Sequence, residues 1–232
     1  MKEFWDNYVE QTFDGNRMAD FKLKQFEANY RKYFPEDRNV PLLDIGVGRG
    51  EMLLSMKNWG YTNYQGVDIS SSTTSFCQSQ GLLCHLVDDV PSWLNKTGSR
   101  FGLITLLDVL EHIEKNEVIR FLKQLYQTLL PGGVLLIQVP NAQSPDSNLY
   151  LYGDFTHQTT FTEYSLKQVL VTSGFRDVSF CGFEDALSKG FRRIVRTSLR
   201  SFFWSWARAT RRINGNLNPQ ILHPIFFAVV KK

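Results

Sequence analysis

Three glycines at alternate positions, Gly46, Gly48 and Gly50, follow the apolar run Pro41-Leu42-Leu43-Asp44-Ile45 and lead into a helical pattern that begins at Glu51. This reads as a buried strand turning sharply over a ligand, because glycine reaches positive φ without a Cβ penalty and lets a ligand approach the main chain closely. A dinucleotide fingerprint requires a further glycine three residues after Gly48, where helix packs on strand under a pyrophosphate. Glu51 stands there instead. An acidic first turn argues against a phosphate cradle and suits a cationic or zwitterionic ligand. Asp68 closes the next strand pattern, 20 residues beyond Gly48, where a carboxylate can accept both hydroxyls of a ribose. After the third strand, Asp89 can accept from the exocyclic amine of adenine while the Val90 main chain reads a ring nitrogen. Asp88 competes for that role, and a solvated turn is the plainer reading of the pair.

The elements that must hold these residues alternate along the chain. Apolar strand patterns lie at 41–46, 64–69, 82–87, 101–107, 134–139, 177–183 and 224–231, and helical patterns at 51–59, after Ser70 up to Gly81, 115–130 and 164–173. Fully apolar strands alternating with helices predict a parallel sheet covered on both faces, with ligands outside the carboxyl ends of the strands. Residues 142–163 read as a long irregular loop, a form that usually carries function. Residues 1–39 form a helical cover, 40–185 with 221–232 the main domain, and 186–220 an insertion.

At 232 residues with 43% hydrophobic and 14% aromatic content, the chain suits one α/β domain and is too rich in apolar residues for disorder. Cys77, Cys84 and Cys181 are scattered without a paired motif, so buried thiols in a reducing compartment are expected. No apolar leader and no run of about 18 apolar residues occurs, which predicts a cytoplasmic protein that does not span a membrane. Charge is uneven. Residues 1–185 hold 16 Lys and Arg against 23 Asp and Glu, whereas residues 186–232 hold 10 basic residues and no acid.

Taken together, Leu42 to Gly50, Gly66-Val67-Asp68 and Leu130-Pro131-Gly132-Gly133-Val134-Leu135-Leu136 resemble the class I S-adenosylmethionine-dependent methyltransferases over about residues 40–185. The resemblance implies a Rossmann-like seven-stranded sheet, mostly parallel with the last strand antiparallel. It also implies S-adenosylmethionine as cofactor. Asp44 then holds the glycine loop and the sulfonium end, Gly46, Gly48 and Gly50 lie against the methionine part, and Asp68 takes the ribose. Ile69, Asp89, Val90 and Leu107 complete the implied binding set. Phe13-Asp14-Gly15, Gly48-Arg49-Gly50-Glu51, Val109-Leu110-Glu111-His112 and Asp154-Phe155-Thr156-His157 resemble more narrowly the methyltransferases encoded with bacterial surface-polysaccharide (O-antigen) assembly. Phe155 replaces a usual proline there, and Val47 a common cysteine. This implies a sugar hydroxyl of a lipid-linked or nucleotide-linked glycan as acceptor.

Methyl transfer to an alcohol needs in-line positioning and a base for the departing proton. His157 oriented by Asp154 is the first candidate, with Asp108 and His112 as alternatives, and Tyr150 and Tyr152 can stack on a sugar ring. His157 can also serve only to fix its loop, and His112 to bond Glu111 at a helix start. His85 and His223 carry no functional signal. Asp154 and His157 alone are too few ligands for a metal, so none is expected.

Within the insertion, Leu187, Phe191, Ile194, Val195, Leu199, Phe202 and Trp206 recur at helical spacing, with Lys189, Arg193, Arg196, Arg200, Arg208 and Arg211 opposite. A basic amphipathic helix over 187–213 is the pattern of an interfacial binder of anionic lipid. The competing readings are a helix packed on the sheet with a solvated arginine face, and an RNA-binding surface, which the helical spacing of the aromatics disfavours. Functional alternatives to glycan methylation are methylation of a quinone precursor or other small molecule, a cofactor-binding membrane adaptor without turnover, and RNA methylation.

Overall fold

A computed structural model describes residues 19–184, 190–216 and 218–232. The predicted start of the N-terminal cover, including Phe13-Asp14-Gly15, and the start of the basic helix at Leu187 and Lys189 lie outside the described residues. In chain order the elements are α1 (Ala19–Asn29), β1 (Leu42–Ile45), α2 (Glu51–Asn58), β2 (Tyr64–Asp68), α3 (Ser71–Ser79), β3 (Cys84–Leu86), α4 (Val90–Thr97), β4 (Phe101–Leu107), α5 (Val118–Thr128), β5 (Leu129–Pro140), α6 (Ser147–Tyr152), α7 (Glu163–Thr172), β6 (Asp177–Gly182), α8 (Gly190–Ile213) and β7 (Ile225–Lys231).

The seven strands form one sheet in the order β3-β2-β1-β4-β5-β7-β6. The pairs from β3 to β5 are parallel, and β7 runs antiparallel between β5 and β6. Successive strand residues point to opposite faces, and apolar side chains on both faces require cover on both. Leu43, Ile104 and Leu135 join one buried cluster with Phe121 and Leu125 of α5 and Leu166 of α7. Leu42, Leu103 and Leu136 join the other, with Tyr30 and with Leu53 and Met56 of α2. The connections leaving β1 and β4 therefore cover opposite faces. A crevice opens between these neighbouring strands at their carboxyl ends, the usual ligand position in such sheets.

Three local differences from the sequence reading have physical causes. The segment after the third strand is the helix α4, capped by Asp89, whose side chain accepts from Ser92 N, with proline in the first turn and Gly98 in the left-handed region after its end. These are ordinary start and stop signals. Inside the expected loop 142–163, residues 147–152 form α6. The Pro131-Gly132-Gly133 turn does not precede the fifth strand but bulges within it: Leu129 pairs with Phe101, and pairing then shifts to Val134 opposite Leu103.

Among the described residues, no helix is long and apolar enough to cross a membrane. Cys77 and Cys84 are buried free thiols, and Cys181 is partly buried.

Candidate active site

A cavity of about 1560 Å³ occupies the crevice. Of the nine residues expected to bind cofactor, Asp44, Gly46, Gly48 and Asp68 line it, as do Ile69, Asp89, Val90 and Leu107. Gly50 does not. It caps α2 at φ +77°, and a Cβ there would come within 2.7 Å of Leu82 Cδ1 and 3.0 Å of Cys77 Sγ, so it packs α2 against α3 and β3. Gly46 has φ +76°, and a Cβ on it would meet Val109 Cγ2 at 2.3 Å. Gly46 thus excludes a side chain on steric grounds, whereas at Gly48 open space surrounds a Cβ and the positive φ of +52° is what favours glycine.

The floor is acidic. Thr105 Oγ1 donates to Asp44 Oδ1 at 2.6 Å, yet burial, with Asp68 and Glu51 adding to it, pushes the Asp44 carboxyl up to about 7. Asp68 accepts from Ser70 N at 2.9 Å and Gly48 N at 3.4 Å. Burial raises its pKa, and these main-chain donors oppose the shift. Glu51 is buried and faces Lys22 Nζ of α1 at 3.4 Å. The carboxylate of Asp68, the turn at Gly46 and Gly48, and the acids around them are of the kind that could hold a nucleoside carrying positive charge. Asp89 lines the wall while its carboxylate caps α4, accepting from Ser92 Oγ at 2.5 Å. That bond is a second role the sequence reading did not assign.

The four candidate bases separate into two layers. Asp108 and His112 line the cavity, whereas Asp154 and His157 are not among its lining residues. Asp108 has φ +54°, which no other non-glycine residue adopts among the described residues, and such strain in an ordered fold concentrates at functional sites. Gln138 Nε2 donates to its Oδ2 at 2.8 Å, and the Gln138 carbonyl oxygen in turn accepts from Tyr30. Asp108 opens to the cavity and is enclosed by protein elsewhere, and this desolvation raises its pKa. His112 is held through Nδ1 by Thr156 Oγ1 at 2.8 Å, and that hydroxyl donates to Asp154 Oδ1 at 2.6 Å. Desolvation lowers the His112 pKa and keeps the ring neutral near pH 7. The expected bond from His112 to Glu111 is not made; Thr156 takes its place. His157 lies behind His112, ring centroids 4.8 Å apart. Its Nδ1 donates to Leu151 O at 3.0 Å.

At the rim, Tyr150, Arg192, Arg196 and His223 also line the cavity, whereas Tyr152 is 79% exposed. The sequence reading gave His223 no role, and it missed Gln138, Thr156 and Glu111. Helix α8 does not pack its apolar side on the sheet, and of its basic side Arg193 and Arg196 are exposed while Arg208 and Arg211 are bonded. Arg211 donates to Gln143 O and Arg208 to Gln220 O, which ties the basic side to the domain. The apolar ridge of Phe191, Leu199, Phe202, Trp206 and Ile213 is 59–84% exposed.

The sequence matches the profile of a family described as a methyltransferase domain over residues 10–179. No curated protein matches it significantly. Among solved structures, a SAM-dependent methyltransferase from Archaeoglobus fulgidus aligns at TM-score 0.68 and 23% identity, covering 93% of this chain and 97% of its own. The plantazolicin methyltransferase in complex with SAH aligns at TM-score 0.60 and 18% identity, covering 100% and 93%. Phosphoethanolamine N-methyltransferase 2 of Haemonchus contortus, in complex with S-adenosyl-L-methionine, aligns at TM-score 0.59 and 14% identity, covering 98% and 60%. At these identities the structural likeness speaks for the fold alone, but the profile spans well over half of the chain, including the glycine turn and Asp68 at the end of β2: the chain belongs to the methyltransferase domain family, as an S-adenosylmethionine-dependent enzyme.

Proposed function

We propose that this enzyme methylates a sugar hydroxyl of an anionic bacterial glycan, lipid-linked or nucleotide-linked, of the surface-polysaccharide (O-antigen) type, at the cytoplasmic face of the inner membrane. The observation that carries this reading is the change of character along the cleft. Acids line its floor, and the exposed ring of Tyr150 also lines the cleft, as do the exposed Arg192 and Arg196. A sugar stacks on such a ring, and its phosphate meets guanidinium groups, which bind phosphate oxygens in a fork.

When bound, S-adenosylmethionine supplies an electrophilic methyl group on a positive sulfur. Asp108 would accept the proton of the acceptor hydroxyl that takes this methyl group. Gln138 and Tyr30 fix the Asp108 carboxylate, and His112 borders the same space.

The raised pKa of Asp44 carries a sign. An acid whose folded pKa lies above its unfolded value is favoured as the neutral form, so its stabilising share is present below about pH 4 and is lost as pH rises through about 7. A cationic ligand reverses the preference and expels the proton. Cofactor affinity is therefore expected to weaken as pH falls below about 7, toward tenfold per pH unit, with proton release on binding. Calorimetry at pH 6 and 8 in two buffers of different ionisation enthalpy checks both.

The acceptor is tested with methyl-labelled S-adenosylmethionine offered nucleotide sugars, lipid-linked glycans, quinone precursors and RNA. Label in a glycan supports the reading, label in a quinone precursor or RNA replaces it, and cofactor binding without any labelled acceptor supports an adaptor. In the same reading, α8 lays its exposed ridge on anionic lipid. Seven arginines and no acid in this helix favour such a surface over a second copy of the same positive helix. Phe202→Asp with Trp206→Asp is expected to cut sedimentation with anionic vesicles by about tenfold or more, and equal sedimentation would refute membrane docking.

A further inference from the structure

We propose that Glu111, His112 and His157 bind one first-row divalent cation beside the acceptor space. The cation's role rests on the acceptor reading above; its presence does not.

Glu111 is 1% exposed, and neither of its carboxylate oxygens has a hydrogen-bond partner among the described residues. A buried carboxylate in that condition is costly unless a charge or donor compensates it. The nearest group is His157, whose Nε2 lies 4.0 Å from Glu111 Oε1. Because His157 Nδ1 donates its proton to Leu151 O, Nε2 carries a lone pair. Lone pair and carboxylate therefore face one another. Their separation is too long for a hydrogen bond, yet two bonds of about 2.1 Å to a shared ion span it.

His112 brings the third donor, and one ligand atom from each of the three residues lies within 4.8 Å of the others. The Thr156 hydroxyl proton goes to Asp154, so His112 donates to Thr156 through Nδ1, and the ring also meets the Asp108 main chain. Each ring thus has its Nδ1 tied to a hydroxyl or a carbonyl, as the second nitrogen of a metal-bound histidine commonly is. The sequence reading counts Asp154 with His157 as ligands, too few for a metal; here Asp154 instead reaches His112 through Thr156. The loop is pinned to the other side of the site, because Gln158 N and Thr159 N both donate to Glu111 O at 2.8 and 3.0 Å.

Two imidazoles with one carboxylate suit zinc, manganese, iron or cobalt better than magnesium or calcium. His112 lines the cavity, so an ion there faces the acceptor, and three protein ligands leave coordination positions for its oxygen. Binding that oxygen lowers its proton affinity next to Asp108.

The full chain, treated with chelator and dialysed, is titrated with Co²⁺ while its visible absorption is followed, then challenged with Zn²⁺. One equivalent is expected to saturate the signal and zinc to displace it. Glu111→Gln and His157→Gln are each expected to weaken Co²⁺ binding by about 100-fold or more, while His85→Gln, remote from the cluster, leaves it unchanged. Calorimetric binding of S-adenosylmethionine by the same variants reports that they are folded. Absence of saturable Co²⁺ uptake by the wild type, or equal uptake by Glu111→Gln, overturns the proposal. A rise in the melting temperature of Glu111→Gln with unchanged Co²⁺ uptake also overturns it, since Glu111 is then only a buried acid. Glycan labelling that survives metal removal leaves the methyl-transfer reading standing without the cation.

Discussion

Asp68→Ala is expected to lower the affinity for S-adenosylmethionine by about 100-fold or more while the chain still folds. A hydrogen bond to a charged group contributes roughly 1.5–3 kcal/mol, and Asp68 accepts from two ribose hydroxyls in the implied binding mode. Even at the lower bound the pair amounts to about 3 kcal/mol, which is a factor of about 100 in dissociation constant. The same carboxylate accepts from Gly48 N and Ser70 N. Its loss therefore also loosens the turn that must lie against the methionine part. Asp68→Asn retains one acceptor oxygen and should fall between the two. Calorimetry measures the affinities and a melting curve measures the fold. Affinity within threefold of wild type in Asp68→Ala would mean that the ribose is held elsewhere.

Asp108→Asn is expected to reduce turnover by roughly 10²–10⁴-fold, the usual contribution of a positioned base, with little change in cofactor affinity. Asparagine tolerates the left-handed backbone at φ +54°, and its side-chain oxygen can still accept from Gln138. The substitution therefore removes proton affinity and keeps shape. Single-turnover transfer from labelled cofactor reads the chemical step, and equilibrium binding reads the cofactor. If Asp108→Asn turns over normally while His112→Gln does not, the base is His112. The Thr156 and Asp154 relay then takes over the orienting role assigned to Gln138.

The cofactor half of the site is legible in the chain because its determinants are local. Gly46 and Gly48 sit in one turn, Asp44 opens it, and Asp68 ends the next strand at a fixed remove, so strand periodicity alone brings them to one crevice. The acceptor half is assembled from distant segments. Asp108 meets Gln138 only through the β4–β5 register, and His112 meets Thr156 through a loop 44 residues further on. Spacing does not encode those encounters, and so His157 stands first in the sequence reading although His112 holds the cavity wall. Gly50 matches the motif yet serves packing, since a glycine pattern does not say which side of the turn is crowded. The helix α4 is hidden when Asp89 is read as a ligand or a solvated turn and not as a cap. Its other signals, Pro91 in the first turn and Gly98 at the end, were present. In α8 the period divides apolar from basic residues, but which side faces the domain is decided by carbonyl partners at Gln143 and Gln220. Those partners tie Arg208 and Arg211 to the domain, while Arg192, Arg193 and Arg196 stay exposed.

Binding calorimetry of the full chain with S-adenosylmethionine, its demethylated product and a nicotinamide dinucleotide tests the central claim most directly. One site per chain for the sulfonium nucleoside and for its product, with no heat from the dinucleotide, is the expected result. Uptake of the dinucleotide with neither of the other two bound would contradict the account.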